Sequence, residues 1–148
     1  MTATSGFVVP ANAVRAGGNY LSAQLVADAA LSPTNCVMFD TSDELIIVCP
    51  AASELCIGIA GQNYQAIADG EDPMTHAFAD GELVNVHMDG YLHVVADAAA
   101  MTRGLLQMVG AADGAEVQDS GHVTWEPSII GRAMRSAATT VHSVIKFF

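Results

Sequence analysis

The side chains able to do chemistry in this chain are few and scattered. Of the five histidines, His76, His87, His93, His122 and His142, only His87 and His93 lie close in sequence. On a hairpin of alternating residues these two point to opposite faces. The three cysteines, Cys36, Cys49 and Cys56, make an odd count without CxxC spacing. That pattern encodes neither a disulfide framework nor a zinc quartet, and all three sit in or beside apolar runs, where buried thiols are expected. Cys56 has no basic neighbour in sequence to lower its pKa and make it a nucleophile. Asp69, Glu71 and Asp72 precede Pro73 in a segment that reads as a loop, where such acids are turn formers facing solvent. HExxH, an EF-hand loop, GxSxG, a phosphate-binding GxxxxGK[ST] and GxGxxG are absent from the sequence. The expectation is a chain that is not an enzyme and has no catalytic, cofactor-binding or metal-ligating residues.

The chemistry left is that of contact. Trp125, followed by Glu126-Pro127, fits either the cap of a core edge or, with Arg132, an interface anchor, because Trp and Arg are enriched where binding energy concentrates. Phe7, Val8 and Val9 form an apolar patch near the N-terminus, with Arg15 close behind. They stand in residues 1–20, a stretch of Ala, Gly, Asn, Thr and Ser broken by Gly17-Gly18-Asn19. This reads as an extended N-terminal arm leading into a single domain over 21–148, and its apolar patch should dock on its own domain or on a neighbour. The expected interface residues are therefore Phe7, Val8, Val9, Arg15, Trp125 and Arg132.

Composition narrows the partners. The chain has 148 residues and 51% apolar side chains, enough to bury a core, while aromatics make up only 6%. Its formal net charge is −11, with 16 acids against five bases, of which Lys146 is the lysine. Such a surface repels phosphate backbones and lacks the basic stripe that nucleic acid binding needs. The acidity has two readings: an ordinary acidic protein, or adaptation to molar salt, where self-repulsion is screened within about 3 Å. The N-terminus lacks a positive region followed by a long apolar segment, and no apolar run approaches the length of a membrane span. A soluble protein made inside a cell is expected, with no membrane partner.

The elements that must present these residues are short strands. Ile57-Gly58-Ile59-Ala60 and Ile130-Gly131-Arg132-Ala133 stand seventy-three positions apart, and each closes a similar run. The first run comprises Cys36 to Phe39, a polar turn, and Leu45 to Val48. The second comprises Leu105 to Val109, a turn at Asp113-Gly114, and Val123-Thr124-Trp125. Self-similarity at long period predicts one strand unit used twice. Asp-Gly pairs at 69–70, 80–81, 89–90 and 113–114 favour tight turns, and the clearest hairpin runs from Glu82 to Met88, through Asp89-Gly90, to Tyr91–Ala96. Val141 to Phe148 reads as a final strand with Val141, Ser143, Ile145 and Phe147 on one side. Helix is confined to single turns, at Ala98–Arg103, after Ser53, or at Ala11–Val14. The fold class predicted is mainly β: a small β-barrel or two-layer β-sandwich of short strands with pseudo-repeats, a few helical turns and the extended arm.

This order of elements resembles a known family. An Ile-Gly-x-Ala strand, an acidic Gly-containing turn, Glu82-Leu83-Val84-Asn85-Val86, Asp89-Gly90-Tyr91-Leu92-His93-Val94, the Ala-rich turn Ala98 to Gly104, a strand pair, a second Ile-Gly-x-Ala and a terminal strand are similar to the small capsid decoration (cement) proteins of tailed double-stranded DNA viruses. The likeness covers roughly Leu21 to Phe148; Leu105 follows Gly104 where the family pattern has an acid. What the resemblance implies is a β-rich module, often a trimer, on the outside of an icosahedral capsid, bracing the major capsid protein after being made in the host cytoplasm. Taken with the acidity, it implies a halophilic host. The competing expectation is a non-catalytic cellular β-barrel module for interaction or for a small apolar ligand.

Overall fold

The computed structural model describes residues 22–41 and 45–148; the arm, with Phe7, Val8, Val9 and Arg15, and the helical turn at Ala11–Val14 lie outside the described residues. Among the described residues ten strands and one short helix follow in chain order: β1 (Ser22–Val26), β2 (Cys36–Phe39), β3 (Ile46–Val48), β4 (Gly58–Ala60), α1 (Gln65–Asp69), β5 (Leu83–His87), β6 (Gly90–Val95), β7 (Leu106–Val109), β8 (Val117–Asp119), β9 (Ile129–Ala133) and β10 (His142–Phe147). They form two five-stranded sheets whose ladders are all antiparallel, in the orders β1-β5-β4-β2-β3 and β6-β10-β9-β7-β8. The second order is the first with every strand advanced by five. The repeat read from the two Ile-Gly-x-Ala segments is therefore a duplication of the whole sheet.

The repeated glycine has the same task in both halves. Gly58 on β4 faces β5 so closely that a Cβ would stand 2.5 Å from the His87 carbonyl oxygen, and a Cβ on Gly131 of β9 would stand 2.4 Å from that of Lys146 on β10. Each sheet also curls until its edges meet. Just past β1, Ala27 forms a parallel bridge to Ile46 of β3, and Asp28 N donates to Ile46 O at 2.9 Å. Just past β6, Ala96 bridges Val117 of β8, and Asp97 N donates to Val117 O at 2.8 Å. One bridge is not a ladder, and the edge strands β3 and β8 have three residues each. The fold is two packed, curled sheets, and the closed-barrel alternative is not what forms.

Burial follows the pleat. On β6, Leu92 and Val94 point inward while Tyr91 and His93 point out; on β10, Ser143, Ile145 and Phe147 point inward. One apolar cluster gathers Leu25, Val37, Ile46, Val84 and Val86 within the first sheet. A second joins Leu92, Val94, Val109, Ile145 and Phe147 of the second sheet to Cys36, Met38 and Ile59, from the other face of the first. The first sheet is thus covered on both faces. Each fully buried Ile or Val contributes about 1.5–3 kcal/mol.

Several expectations need correction. β5 and β6 do not form a hairpin: both edges of β5 are taken, by β1 and β4, and the Asp89-Gly90 turn instead hands the chain from one sheet to the other. There Gly90 has φ 95°, Asp89 Oδ1 accepts Gly90 N at 2.7 Å, and Lys146 Nζ reaches the same oxygen at 3.2 Å. Val123–Trp125 is exposed loop, and the strand pairing with β7 is β8. Ala98–Arg103 is irregular turn, while the helix lies at Gln65–Asp69, where Asn63 Oδ1 accepts Gln65 N at 3.1 Å and left-handed Gly70 ends the turn.

Candidate interaction surface

Because β5 and β6 belong to different sheets, His87 and His93, which a hairpin would place on opposite faces, line one cleft. It has a volume of about 290 Å³ and is lined by residues of β4, β5 and β6, with Tyr64, Met74 and Tyr91 among them. Gly61 leaves room for the His87 ring, since a Cβ there would stand 2.7 Å from Nε2. His93, Tyr64 and Tyr91 are exposed, whereas His87 is half-buried. The cleft joins aromatic faces, a thioether and imidazole nitrogens, a lining suited to contact.

Burial lowers the His87 pKa from its ordinary value. Charging the ring then favours the unfolded chain. The stability contributed by the neutral ring is complete above about pH 6.5 and is lost as pH falls below that towards the folded-state pKa. The unfolding midpoint is expected to drop between pH 7 and pH 5, and H87Q to flatten that slope; an unchanged slope in the variant would assign it to other groups.

The acid pair with the most perturbed surroundings, Asp97 and Glu116, was not legible in the sequence. Asp97 is buried, and burial raises its pKa. The backbone amides of Ala98, Ala112 and Asp113 and a hydrogen bond with Glu116 outweigh that and hold the carboxyl below its usual range. Ala112 N stands 2.9 Å and Asp113 N 3.4 Å from Asp97 Oδ2. Glu116 is raised by burial and by the charges of Asp113 and Asp97. With its oxygens committed to amides, Asp97 acts as a clamp on the β7–β8 loop. Of the three loop acids, Asp69 instead ends helix α1, while Asp72 Oδ1 accepts Met74 N at 2.9 Å and Glu71 pairs with His76 in the turn that follows.

Trp125 and Arg132 fall on the second sheet's side. Trp125 is 60% exposed in the β8–β9 loop, beside Val123 at 94%, and stacks at a tilt on Phe148 with ring centroids 5.5 Å apart. It is not a core cap. Arg132, exposed on β9, donates from Nη1 to Gly104 O at 2.6 Å and so ties down the turn before β7. Sequence reasoning missed Phe148, Tyr64 and Tyr91 as exposed aromatics: Tyr91 faces out on β6, Tyr64 precedes α1 and Phe148 follows β10. Among the described residues no group of three or more His, Cys, Asp or Glu is arranged to hold a metal ion, and no helix is long and apolar enough to cross a membrane.

No protein-family model matches the chain, and no curated protein matches it. Among solved structures it is similar in fold to the N base of the head fiber protein gp8.5 of bacteriophage phi29, with a TM-score of 0.56 and 14% identity, over 87% of this chain and 94% of that one.

Proposed function

We propose that this chain is a non-catalytic structural protein of a tailed virus, a decoration or cement protein on the outside of the capsid that braces the major capsid protein lattice as a homotrimer. The observation that carries the reading is the shared fold with a phage head fiber base, which spans nearly all of both chains. It agrees with the resemblance carried by the Ile-Gly-x-Ala repeats and the Val84-Asn85-Val86 strand, which rests on sequence pattern and not on fold. The exposed Trp125–Phe148 pair and the Tyr64 and Tyr91 rims supply apolar anchors of the kind that interfaces use. The test is co-sedimentation of the purified protein with particles lacking it, followed by a density map. Two-sheet density on the outer capsid surface is expected; a protein left in the supernatant at every concentration tried would end the reading.

A halophilic host belongs to the same proposal and rests on the net charge of −11. Screening relieves self-repulsion as ionic strength rises. The denaturation midpoint is therefore expected to be higher in molar potassium chloride than in dilute buffer, and an equal or lower midpoint would return the acidity to ordinary solubility. A second reading, a cellular module binding a small ligand, is favoured only by the cleft at His87; native mass spectrometry would detect a retained small molecule.

A further inference from the structure

Charge is divided unevenly between the two repeats. Residues 22–89 contain eleven Asp and Glu and no Lys or Arg, whereas residues 90–148 set five acids against Arg103, Arg132, Arg135 and Lys146. The contrast is sharp where the repeats differ in build. Between β4 and β5, residues 61–82 form a long connection that carries α1 and the exposed acids Asp69, Glu71, Asp72, Asp80 and Glu82, with Tyr64 and Ile67 also exposed on it. Its counterpart between β9 and β10, residues 134–141, is short, has no acid and carries Arg135. The fold gathers the other arginines to the same place. Gly104 N donates to Ala133 O at 2.8 Å and Arg103 N to Ser136 Oγ at 2.9 Å, while Met101 and Ala137 form an antiparallel bridge. These bonds stitch the turn before β7 to the segment after β9, and Arg132 reaches across to Gly104 O from Nη1. Arg103, Arg132 and Arg135 are all exposed, and so are the adjoining Leu105 and Met134. None of the three is in an ion pair, although the chain has 16 acids: among the described residues the pairs are His76–Glu71 and Lys146–Asp89.

We propose that this arginine cluster is one half of a head-to-tail joint between copies of the chain, and that the other half is the acidic β4–β5 connection of the next copy. The inference rests on the homotrimer of the proposed function and names the contact that closes it. Two copies at a net charge of −11 repel each other, so contact is least opposed where one of them presents cations. A guanidinium offers a planar fork of N–H donors that matches a carboxylate, and Arg132 has committed Nη1 alone, to Gly104 O. Arginine beside apolar side chains is the composition in which interface energy concentrates; here Leu105 and Met134 on one copy face Tyr64 and Ile67 on the next. The two halves are different surfaces, at equivalent places in the two repeats, so the contact is heterologous and a rotation closes it into a ring. A two-fold contact of like with like would set arginine against arginine. Pairs at the joint leave solvent and are screened far less than exposed charges, so the joint persists in salt that quenches the repulsion between copies.

The test is sedimentation of the full chain in about 0.1 M salt, where the Debye length is about 10 Å and surface charges are still felt, with circular dichroism to verify the fold. Wild type is expected to be a trimer. Arg103→Glu with Arg135→Glu should raise the dissociation constant by on the order of a hundredfold, because like charges then face each other across the joint. Asp69→Arg with Glu71→Arg should do the same from the other side. All four changes in one chain restore opposite charges and should recover the trimer. A wild-type trimer that either reversal leaves intact, or a combined variant no better associated than its parents, overturns the joint and leaves the homotrimer standing. A wild type that stays monomeric at every concentration removes the homotrimer and the joint together. An arginine-reversed variant that stays trimeric but no longer co-sediments with particles assigns the cluster to the capsid protein and overturns the joint. If a variant fails to fold, hydrogen exchange of wild type above and below its association midpoint decides: protection of residues 102–105 and 64–72 together is expected, and a change that spares either segment overturns the joint.

Discussion

Alanine at Gly131 is expected to lower stability by roughly 3 kcal/mol, the upper part of the range for overpacking, and to reduce the melting temperature by on the order of 10 °C for a domain of this size. The added methyl would stand 2.4 Å from the carbonyl oxygen and 3.1 Å from the carbonyl carbon of Lys146. Both are backbone atoms of the adjoining strand, so no rotamer change relieves the contact, and β9 and β10 must part. Ile145 and Phe147 flank that point and belong to the inter-sheet core, so parting the strands would loosen buried packing. Gly58→Ala meets the His87 carbonyl oxygen at 2.5 Å and a Val86 methyl at 2.8 Å in the other sheet, and should cost about the same. The two losses should add, because the sites share no partner. Ala29→Ser, on the surface, should stay within about 0.5 kcal/mol. Denaturant unfolding of the two glycine variants, their double and the Ala29→Ser control measures this. A Gly131→Ala loss no larger than that of the surface control would mean that the repeated glycine is not there for strand approach.

What the sequence displayed and what it hid divide along a physical line. The Ile-Gly-x-Ala repeat was visible because the same steric demand, a strand carbonyl pressed against a glycine, recurs in both sheets. The first run was read nearly to the residue, since β2, β3 and β4 are continuous apolar runs, and the terminal strand showed its alternation at Ser143, Ile145 and Phe147. Strand partnership was not visible. Asp89-Gly90 has local chemistry suited to a hairpin turn, but the competition of β1 and β4 for the edges of β5 decides the pairing, and that is a long-range effect. One misread partnership moved His87 and His93 to opposite faces and concealed the cleft. The helix at Gln65–Asp69 spans five residues, too few for a periodic signal, and depends on the buried Asn63 beside it.

Removing residues 1–19 is expected to leave the two-sheet domain folded and to weaken its self-association and its retention on particles by on the order of tenfold to a hundredfold. Among the described residues both apolar clusters are built from Leu25 onward, so the truncated chain should keep that packing. What it loses is Phe7-Val8-Val9. Burying such side chains is worth about 1.5–3 kcal/mol each, from which the entropy of ordering a Gly- and Asn-rich segment must be subtracted. The remainder is a few kcal/mol per arm, small for one chain and large for an assembly in which every copy contributes one. Ser22, the first described residue, pairs with His87 on β5, and His87 lines the cleft. Sedimentation of the full and truncated proteins, with circular dichroism to verify the fold, separates the two effects. If the truncated chain associates and binds particles as tightly as the full one, the arm takes no part in assembly, and the apolar anchors at Trp125, Phe148 and Tyr91 must carry the interface alone.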